Sequence, residues 1–521
     1  MREYDNNTKK ILGGAAWLGF SAIILKIIGL IYKIPMSYLL GDEGMGYFNS
    51  AYTVYTFFYI IGSAGIPKAV SIMCAKVSDG EAKSIFSAIF KIYIIIGIVL
   101  SALLFIFSGI FSELIGSKNS KMTILAISPT VFFVCASGVL RGYLNGKTKF
   151  LPVAISELIG GICKLLLGLI FAIFSIKIGL SLPFVCAFSI LGITAGSFFG
   201  FIYLLIYYKY ESKGIKREYL QKNKIVKQVF KLGLPIALAA ALSNLTSLID
   251  LTVIMNGLKK NGYSDTVSAI IYGNYTTLAV PMFSFVSNLL NAIPIASLPV
   301  ITKCFAERKY TDLKHSFDSS LEISSFVAVP AFFMFLFFPY EILSAVFERG
   351  SAVLGSQFLL LLAPGIMFYS LLMCVNTVLE GTGKIKSAVI SLIIGAIVKV
   401  VLSFILIRID TFGALGAPVS TSLSYIVSFS ISFYIINKEK NVMINIYSSL
   451  KKPLIISALS LAPTIMIKRL LINYNSYRLL SFIILIFFGL FYLFFSLFST
   501  IKRKKYGNLS AKCTKNKVSD Y

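Results

Sequence analysis

Long apolar windows separated by short polar stretches recur along nearly the whole chain. Each is long enough to cross a hydrocarbon core roughly 30 Å thick as an α-helix, which needs about 20 residues. Hydropathy places about fourteen of them. The first eight cover 11–40, 45–77, 84–110, 121–145, 151–175, 182–208, 225–256 and 266–300. The rest cover 316–339, 352–379, 386–408, 413–436, 452–472 and 478–499. Helices satisfy their own backbone groups in lipid, so the pattern predicts an all-α integral membrane protein. Composition agrees: 57% of residues are hydrophobic and 14% charged, with a mean hydropathy of +0.83, which excludes a soluble globular chain.

The polar stretches differ in charge. Lys and Arg gather before the first window (Arg2, Lys9, Lys10) and then in alternate loops: Lys76 to Lys83, Arg141 to Lys149, Lys209 to Lys231, Lys303 to Lys314, Lys384 with Lys386, and Lys438 to Lys452. They end in a tail from Lys502 to Lys517. The positive-inside rule predicts that these stretches, and both termini, are cytoplasmic in a multi-pass plasma-membrane protein. Basic loops beside anionic lipid account for much of the formal charge of +27, so no nucleic-acid partner is implied. No cleavable signal peptide is expected, because the first window runs on to Gly41 without a small-residue cleavage pattern. The seven cysteines form no CxxC or Cys/His cluster, and the lone His315 lies in a polar loop, so neither a metal nor a cofactor is expected.

Candidate chemistry begins in the hairpin from Lys26 to Lys76. Lys26, Gly29 and Lys33 share one helical face ahead of the turn Gly41-Asp42-Glu43-Gly44. Ionisable groups at membrane depth normally face a protein interior or a wet cavity; snorkelling to the headgroups is the competing reading, stronger for Lys33 near its helix end. The second helix is interrupted at Gly62 to Lys68, with Gly65 and Pro67 as expected break points and Pro294 as an echo later in the chain. Further candidate cavity cations are Lys68, Arg141, Lys164 and Lys399, and the candidate charge partners or ion-coupling acids are Glu157 and Asp250. These candidate positive charges outnumber the acids at membrane depth that could neutralise them.

A repeat organises the helices. Pro129 and Pro364 lie 235 positions apart (364 − 129), and that offset also pairs Gly146 with Gly381, Lys149 with Lys384, Ser156 with Ser391 and Gly160 with Gly395. It continues to Lys164 with Lys399 and to Pro183 with Pro418 without a gap. Two pseudo-symmetric six-helix lobes follow, 1–208 and 232–440, joined by a basic linker, 209–231. Two more helices over 441–500 and a basic tail, 501–521, complete the expected chain. A weaker match sets Tyr47-Phe48-Asn49 beside Tyr272-Gly273-Asn274.

Two lobes, about fourteen helices and the pattern Gly41-Asp42-Glu43-Gly44-Met45-Gly46-Tyr47-Phe48, followed by Gly65-Ile66-Pro67-Lys68-Ala69-Val70-Ser71, resemble the stage V sporulation protein B group. That group lies in the polysaccharide transport family of the multidrug/oligosaccharidyl-lipid/polysaccharide exporter (MOP) superfamily, with the lipid II flippases of the MurJ type. The resemblance implies a MATE-like fold and movement of an undecaprenyl-pyrophosphate-linked sugar, a lipid II-like precursor, from the inner to the outer leaflet for cell wall or spore cortex. Membrane lipids and cell-wall synthases are the partners it implies. The chain departs from the MurJ pattern, in which arginines stand in the first, second and eighth helices: here the first carries Lys26 and Lys33, and the eighth has no basic residue before Lys303. Lysines would then act as point charges without the bidentate fork of arginine. A sodium site seen between the seventh and eleventh helices of some relatives is disfavoured by Lys399. The alternatives are a drug or cation exporter of the same fold, which would need acids in its cavity, and a membrane glycosyl- or acyltransferase. The absence of a DxD motif, a placed histidine or a phosphate-binding Gly-rich loop argues against an enzyme.

Overall fold

The computed structural model describes the backbone of residues 2–218, 222–409, 411–438, 446–471 and 476–518, and the side chains of these except 2–19, 22–23, 222–223, 238–239, 242–243 and 498–518. The basic linker and tail expected above thus fall partly outside the described residues. The described chain is helical, without a strand. It divides into two compact units, Met1–Thr277 with Ile407–Ala414, and Leu278–Leu406 with Leu415–Tyr521.

The first unit holds α1 (Arg2–Ser63), α2 (Gly65–Cys74), α3 (Asp79–Ile106), α4 (Ser108–Leu114), α5 (Lys121–Gly146), α6 (Phe150–Lys177), α7 (Leu182–Glu211), α8 (Lys222–Lys260) and α9 (Asp265–Asn274). α8 and α9, assigned by the repeat to the second lobe, therefore pack here. α1 is two helices that meet at Gly41, whose φ of 64° and ψ of −178° form a conformation open to glycine and costly for other residues. The chain folds back there. Tyr32 and Phe48 lie 16 positions apart, about 24 Å along a straight helix, yet their ring centroids are 6.2 Å apart.

The returning limb of α1 crosses α9 at a reciprocal contact. A Cβ on Gly46 would strike the Ala269 carbonyl, and one on Gly273 would strike the Asp42 carbonyl. Exchanging the two segments at an offset of 227 (269 − 42) maps the contact onto itself. That geometry moves the Tyr47/Tyr272 match of the sequence by two positions. The unit closes through Ile407, fully buried, whose carbonyl accepts from Asn261 Nδ2 at 3.0 Å and whose side chain fills the space over Gly257. Several loop cations expected to be cytoplasmic pair with acids: Lys147 with Asp79 at 2.8 Å and Lys149 with Glu211 at 3.0 Å, the latter bond raising the Lys149 pKa.

The second unit holds α10 (Val280–Ala306), α11 (Tyr310–Phe337), α12 (Pro339–Ser344), α13 (Arg349–Gly381), α14 (Ile385–Leu406), α15 (Gly416–Asn437), α16 (Ile446–Leu470) and α17 (Tyr477–Val518). The last two dock on α11 and α12 through a core of Phe338, Leu461, Ile484 and Phe488. The buried Glu341 pairs there with Lys468 at 2.5 Å. Pro294 does not break its helix: α10 continues through it, as membrane helices can when neighbours re-satisfy freed backbone groups. The irregularity lies earlier, in a π-helical segment, Tyr275–Ala279, between α9 and α10.

Among the described residues twelve helical stretches are long and apolar enough to cross a membrane, against about fourteen expected. The first of these, Ile24–Cys74, spans 51 residues and contains the Gly41 fold-back, so it merges two of the expected windows. The expected window at 225–256 lies in α8, which is not among the twelve.

The repeat survives with one correction. The 235 offset holds for α5 with α13 and α6 with α14, but the next helices are related by 228 (428 − 200). Thr194 Oγ1 donates to the Ala126 carbonyl at 3.1 Å, and Ser422 Oγ donates to the Leu361 carbonyl at 2.7 Å. Gly200 packs on the Ser156 carbonyl, where a Cβ would be 2.9 Å away, and Ser428 donates to the Ser391 carbonyl at 3.0 Å. The match of Pro183 with Pro418 is therefore not structural. α14 has 22 residues against 28 in α6, so the chain returns about two turns sooner.

Candidate functional site

The hairpin of α1 brings Tyr32 and Lys33 on its first limb beside Tyr52 on its second, and α6 sets Lys164 against them. Gly168, one turn beyond Lys164, leaves room for the Tyr32 ring: a Cβ there would lie 2.9 Å from it. Lys164 Nζ then stands 4.9 Å from the Tyr32 ring centroid and 5.5 Å from that of Tyr52. A cation over an aromatic face gains about 0.5–2 kcal/mol, more where water is excluded.

Lys33 Nζ donates to the Thr276 carbonyl at 3.0 Å, in the π segment. The reason lies in the sequence. In a π segment each carbonyl accepts from the N–H five residues on. For Thr276 that position is Pro281, which has no N–H. The Thr276 hydroxyl is turned to the Tyr272 carbonyl at 2.7 Å, leaving the lysine to supply the donor. Asn49 Nδ2 donates to Thr277 Oγ1 at 2.7 Å, and Thr53 shares a hydrogen bond of 3.1 Å with Tyr272, so α1 grips the segment from both sides. Lys33 and Lys164 are both partly buried and lie within electrostatic range of each other. Neither is ion-paired to an acid among the described residues.

Below Tyr52 the same face of α1 carries Tyr55 and Tyr59, with successive ring centroids 5.8 Å apart. Arg141 interacts electrostatically with Tyr55 and pairs with Glu157 at 3.3 Å, both side chains about a quarter to a third exposed (27% and 30%). The guanidinium Nε is buried without a hydrogen-bond partner among the described residues. Tyrosines thus connect two cation positions, Lys164 and Arg141, along one wall.

The other predicted residues are dispersed. Lys26 shares the face of Lys33 two turns earlier and is exposed; Lys68 is exposed in α2. Lys399 is partly buried in α14 of the second unit. Glu157 partners Arg141 and not a lysine of the repeat, and Asp250 is buried in α8 beside Tyr272. Gly65 opens α2 immediately after the interruption at Ala64, and Pro67 lies in the first turn, where a missing N–H costs little. Thr276, Pro281, Tyr52 and Tyr55 were not singled out from the sequence. The i, i+3, i+7 spacing of the tyrosines and the proline five residues after Thr276 are the signals that expose them.

Known proteins resemble the chain along most of its length. The family model described as polysaccharide biosynthesis protein covers residues 11–305, and the MatE model covers 235–405. The chain is 22% identical over 419 residues to stage V sporulation protein B of Bacillus subtilis (strain 168), covering 78% of this chain and 80% of that protein. It is 25% identical over 457 residues to lipid II flippase MurJ of the same organism, covering 83% of each. Its fold is similar to a solved inward closed lipid II flippase MurJ, with a TM-score of 0.68 at 18% identity, covering 94% of this chain and 99% of that one. The chain belongs to the polysaccharide biosynthesis protein family, as a multi-pass membrane protein with the fold of solved MurJ and MATE transporters.

Proposed function

We propose that this transporter is a flippase that carries an undecaprenyl-pyrophosphate-linked cell-wall or spore-cortex precursor, of the lipid II kind, from the inner to the outer leaflet by alternating access. Both termini lie in the cytoplasm, as the basic loops require. The observation that carries the reading is the pair Lys33 and Lys164, partly buried, set among tyrosines and unpaired with acids among the described residues. Two such ammonium groups are costly to desolvate alone, and a pyrophosphate entering between them offsets that cost with charge-assisted hydrogen bonds. Tyr52 and Tyr59, partly exposed at the two ends of the ladder, offer faces and hydroxyls to a sugar. The names of the relatives point the same way, one a lipid II flippase and one a sporulation protein.

Exchange of fluorescent lipid-linked precursors between leaflets of reconstituted liposomes tests this, normalised to folded protein. Lys164→Gln is expected to lower binding by roughly one to two orders of magnitude, the worth of one charge-assisted hydrogen bond, with partial rescue by Arg. Wild-type exchange by Lys164→Met at normal expression would remove the cation mechanism.

A further inference from the structure

We propose that Pro281 is a positioning residue for substrate binding: by withholding an N–H from the Thr276 carbonyl it reserves that carbonyl as the anchor for the Lys33 ammonium. The inference rests on the proposed flippase reading, since it assigns a purpose to one of the two cations in that site.

A lysine on a four-carbon stem has many rotamers, and a binding site that must immobilise it at the moment of capture loses affinity. Lys33 is already immobilised. Its ammonium donates one proton to the Thr276 carbonyl at 3.0 Å, and the remaining two stay available to a ligand. The helix ladder leaves this carbonyl short of a donor. The π segment Tyr275–Ala279 hands over to α10 at Val280, Pro281 stands in the first turn of α10, and the donor that would close the next π-type bond onto Thr276 is missing. The anchor is itself held, because Asn49 secures Thr277 and the Thr53 and Tyr272 hydroxyls meet one turn earlier. A backbone carbonyl gripped at both ends is a fixed acceptor, and an ammonium bound to it is a fixed cation facing the same space as Lys164. An acidic anchor would also have fixed Lys33, but it would have neutralised it. A carbonyl orients the charge and leaves it unspent for a phosphate.

The test is a double-mutant cycle read by binding of undecaprenyl pyrophosphate to the detergent-purified full chain, with undecaprenol as the uncharged control. Pro281→Ala restores the N–H and gives Thr276 a ladder partner. It is expected to weaken undecaprenyl pyrophosphate binding roughly three- to tenfold, the cost of ordering one long side chain on binding. In the Lys33→Gln background the same substitution is expected to do nothing further, because there is no ammonium left to position. A loss of equal size in both backgrounds, or no loss in the wild-type background, overturns the positioning role. Lys33→Gln binding as tightly as wild type overturns the site reading itself, a different outcome from the first two. Hydrogen exchange of the wild-type and Lys33→Gln chains without ligand gives a measurement that does not need Pro281→Ala to fold. Faster exchange across 275–282 in Lys33→Gln supports the anchor, and unchanged exchange there refutes it.

Discussion

In the first unit α7 lays Gly192, Gly196 and Gly200 against α6 at Gly168, Gly160 and Ser156; in the second, α15 lays Ser420, Ser424 and Ser428 against Ser403, Gly395 and Ser391 of α14. The positions correspond pair by pair, yet the contacts differ in kind. A Cβ at Gly192 or Gly196 would run into the backbone of Gly168 or Gly160, so these helices touch main chain to main chain. The second pair is joined by hydroxyls: Ser403 with Ser420 at 2.5 Å, Ser428 to the Ser391 carbonyl at 3.0 Å, and Ser432 with the Ser391 hydroxyl at 2.7 Å, while Ser432 also meets Asn376 of α13 at 2.7 Å. Small residues and interhelical hydroxyls are the two means by which helices associate in lipid, where burying apolar surface gains nothing. Here a duplicated element uses one in each copy. The glycine contact also fixes Lys164, whose carbonyl and amide nitrogen lie 3.1 and 3.3 Å from the places that a Cβ on Gly192 and on Gly196 would occupy. A rigid seam thus lies behind the lysine that belongs to the aromatic cluster.

The largest effect should come from filling the glycine seam. Gly196→Leu is expected to cost about 3 kcal/mol, the upper range for overpacking, because the obstacle is backbone that cannot rotate away. Its thermal unfolding in detergent should fall by many degrees, while Ser424→Leu at the corresponding place should cost less. Equal losses would erase the distinction between the seams. Next, Ser432→Ala removes a hydroxyl with two partners and should cost about 1 kcal/mol, near 0.6 for each membrane hydrogen bond. A neutral result would mean that the serine seam works by size alone. The smallest effect should come from Gly395→Ala, whose new methyl displaces the Ser428 hydroxyl from the Ser391 carbonyl and lies 3.0 Å from the Ser424 carbonyl, so that its main obstacle is a side chain that can turn. The cost should be below about 1 kcal/mol and should partly disappear in Gly395→Ala with Ser428→Ala, the coupling expected of touching residues.

Hydropathy was enough to place most of the helices, because twenty apolar residues in lipid have few other choices. The 235 register was legible wherever α5 and α6 repeat without a gap. It misled at Pro183 and Pro418, since a shorter α14 shifts the next helix by two turns while two prolines happen to keep the old spacing. The cations of the site could be chosen by type but not by neighbour. Glu157 was expected as a charge partner or ion-coupling acid with no cation assigned to it, and it pairs with Arg141 from another helix. The partner of Lys33 is 243 positions away and is a carbonyl, invisible to any reading of side chains. What the sequence did contain was the absence of an N–H at Pro281, which becomes informative only once a π turn is known to precede it.

Ile407 sets an order of events in time. The first unit is not complete when Thr277 is made, because its buried plug over Gly257 and Asn261 is encoded after the whole of 278–406. At about 5–20 residues per second, the ribosome needs on the order of 10 s to reach it. Throughout that interval the end of α8 stands open while five further helices of the second unit are delivered to the membrane. The early unit therefore has to be insertion-competent without being closed, and it is completed only after more than half of the second unit has been made, although it begins well before it.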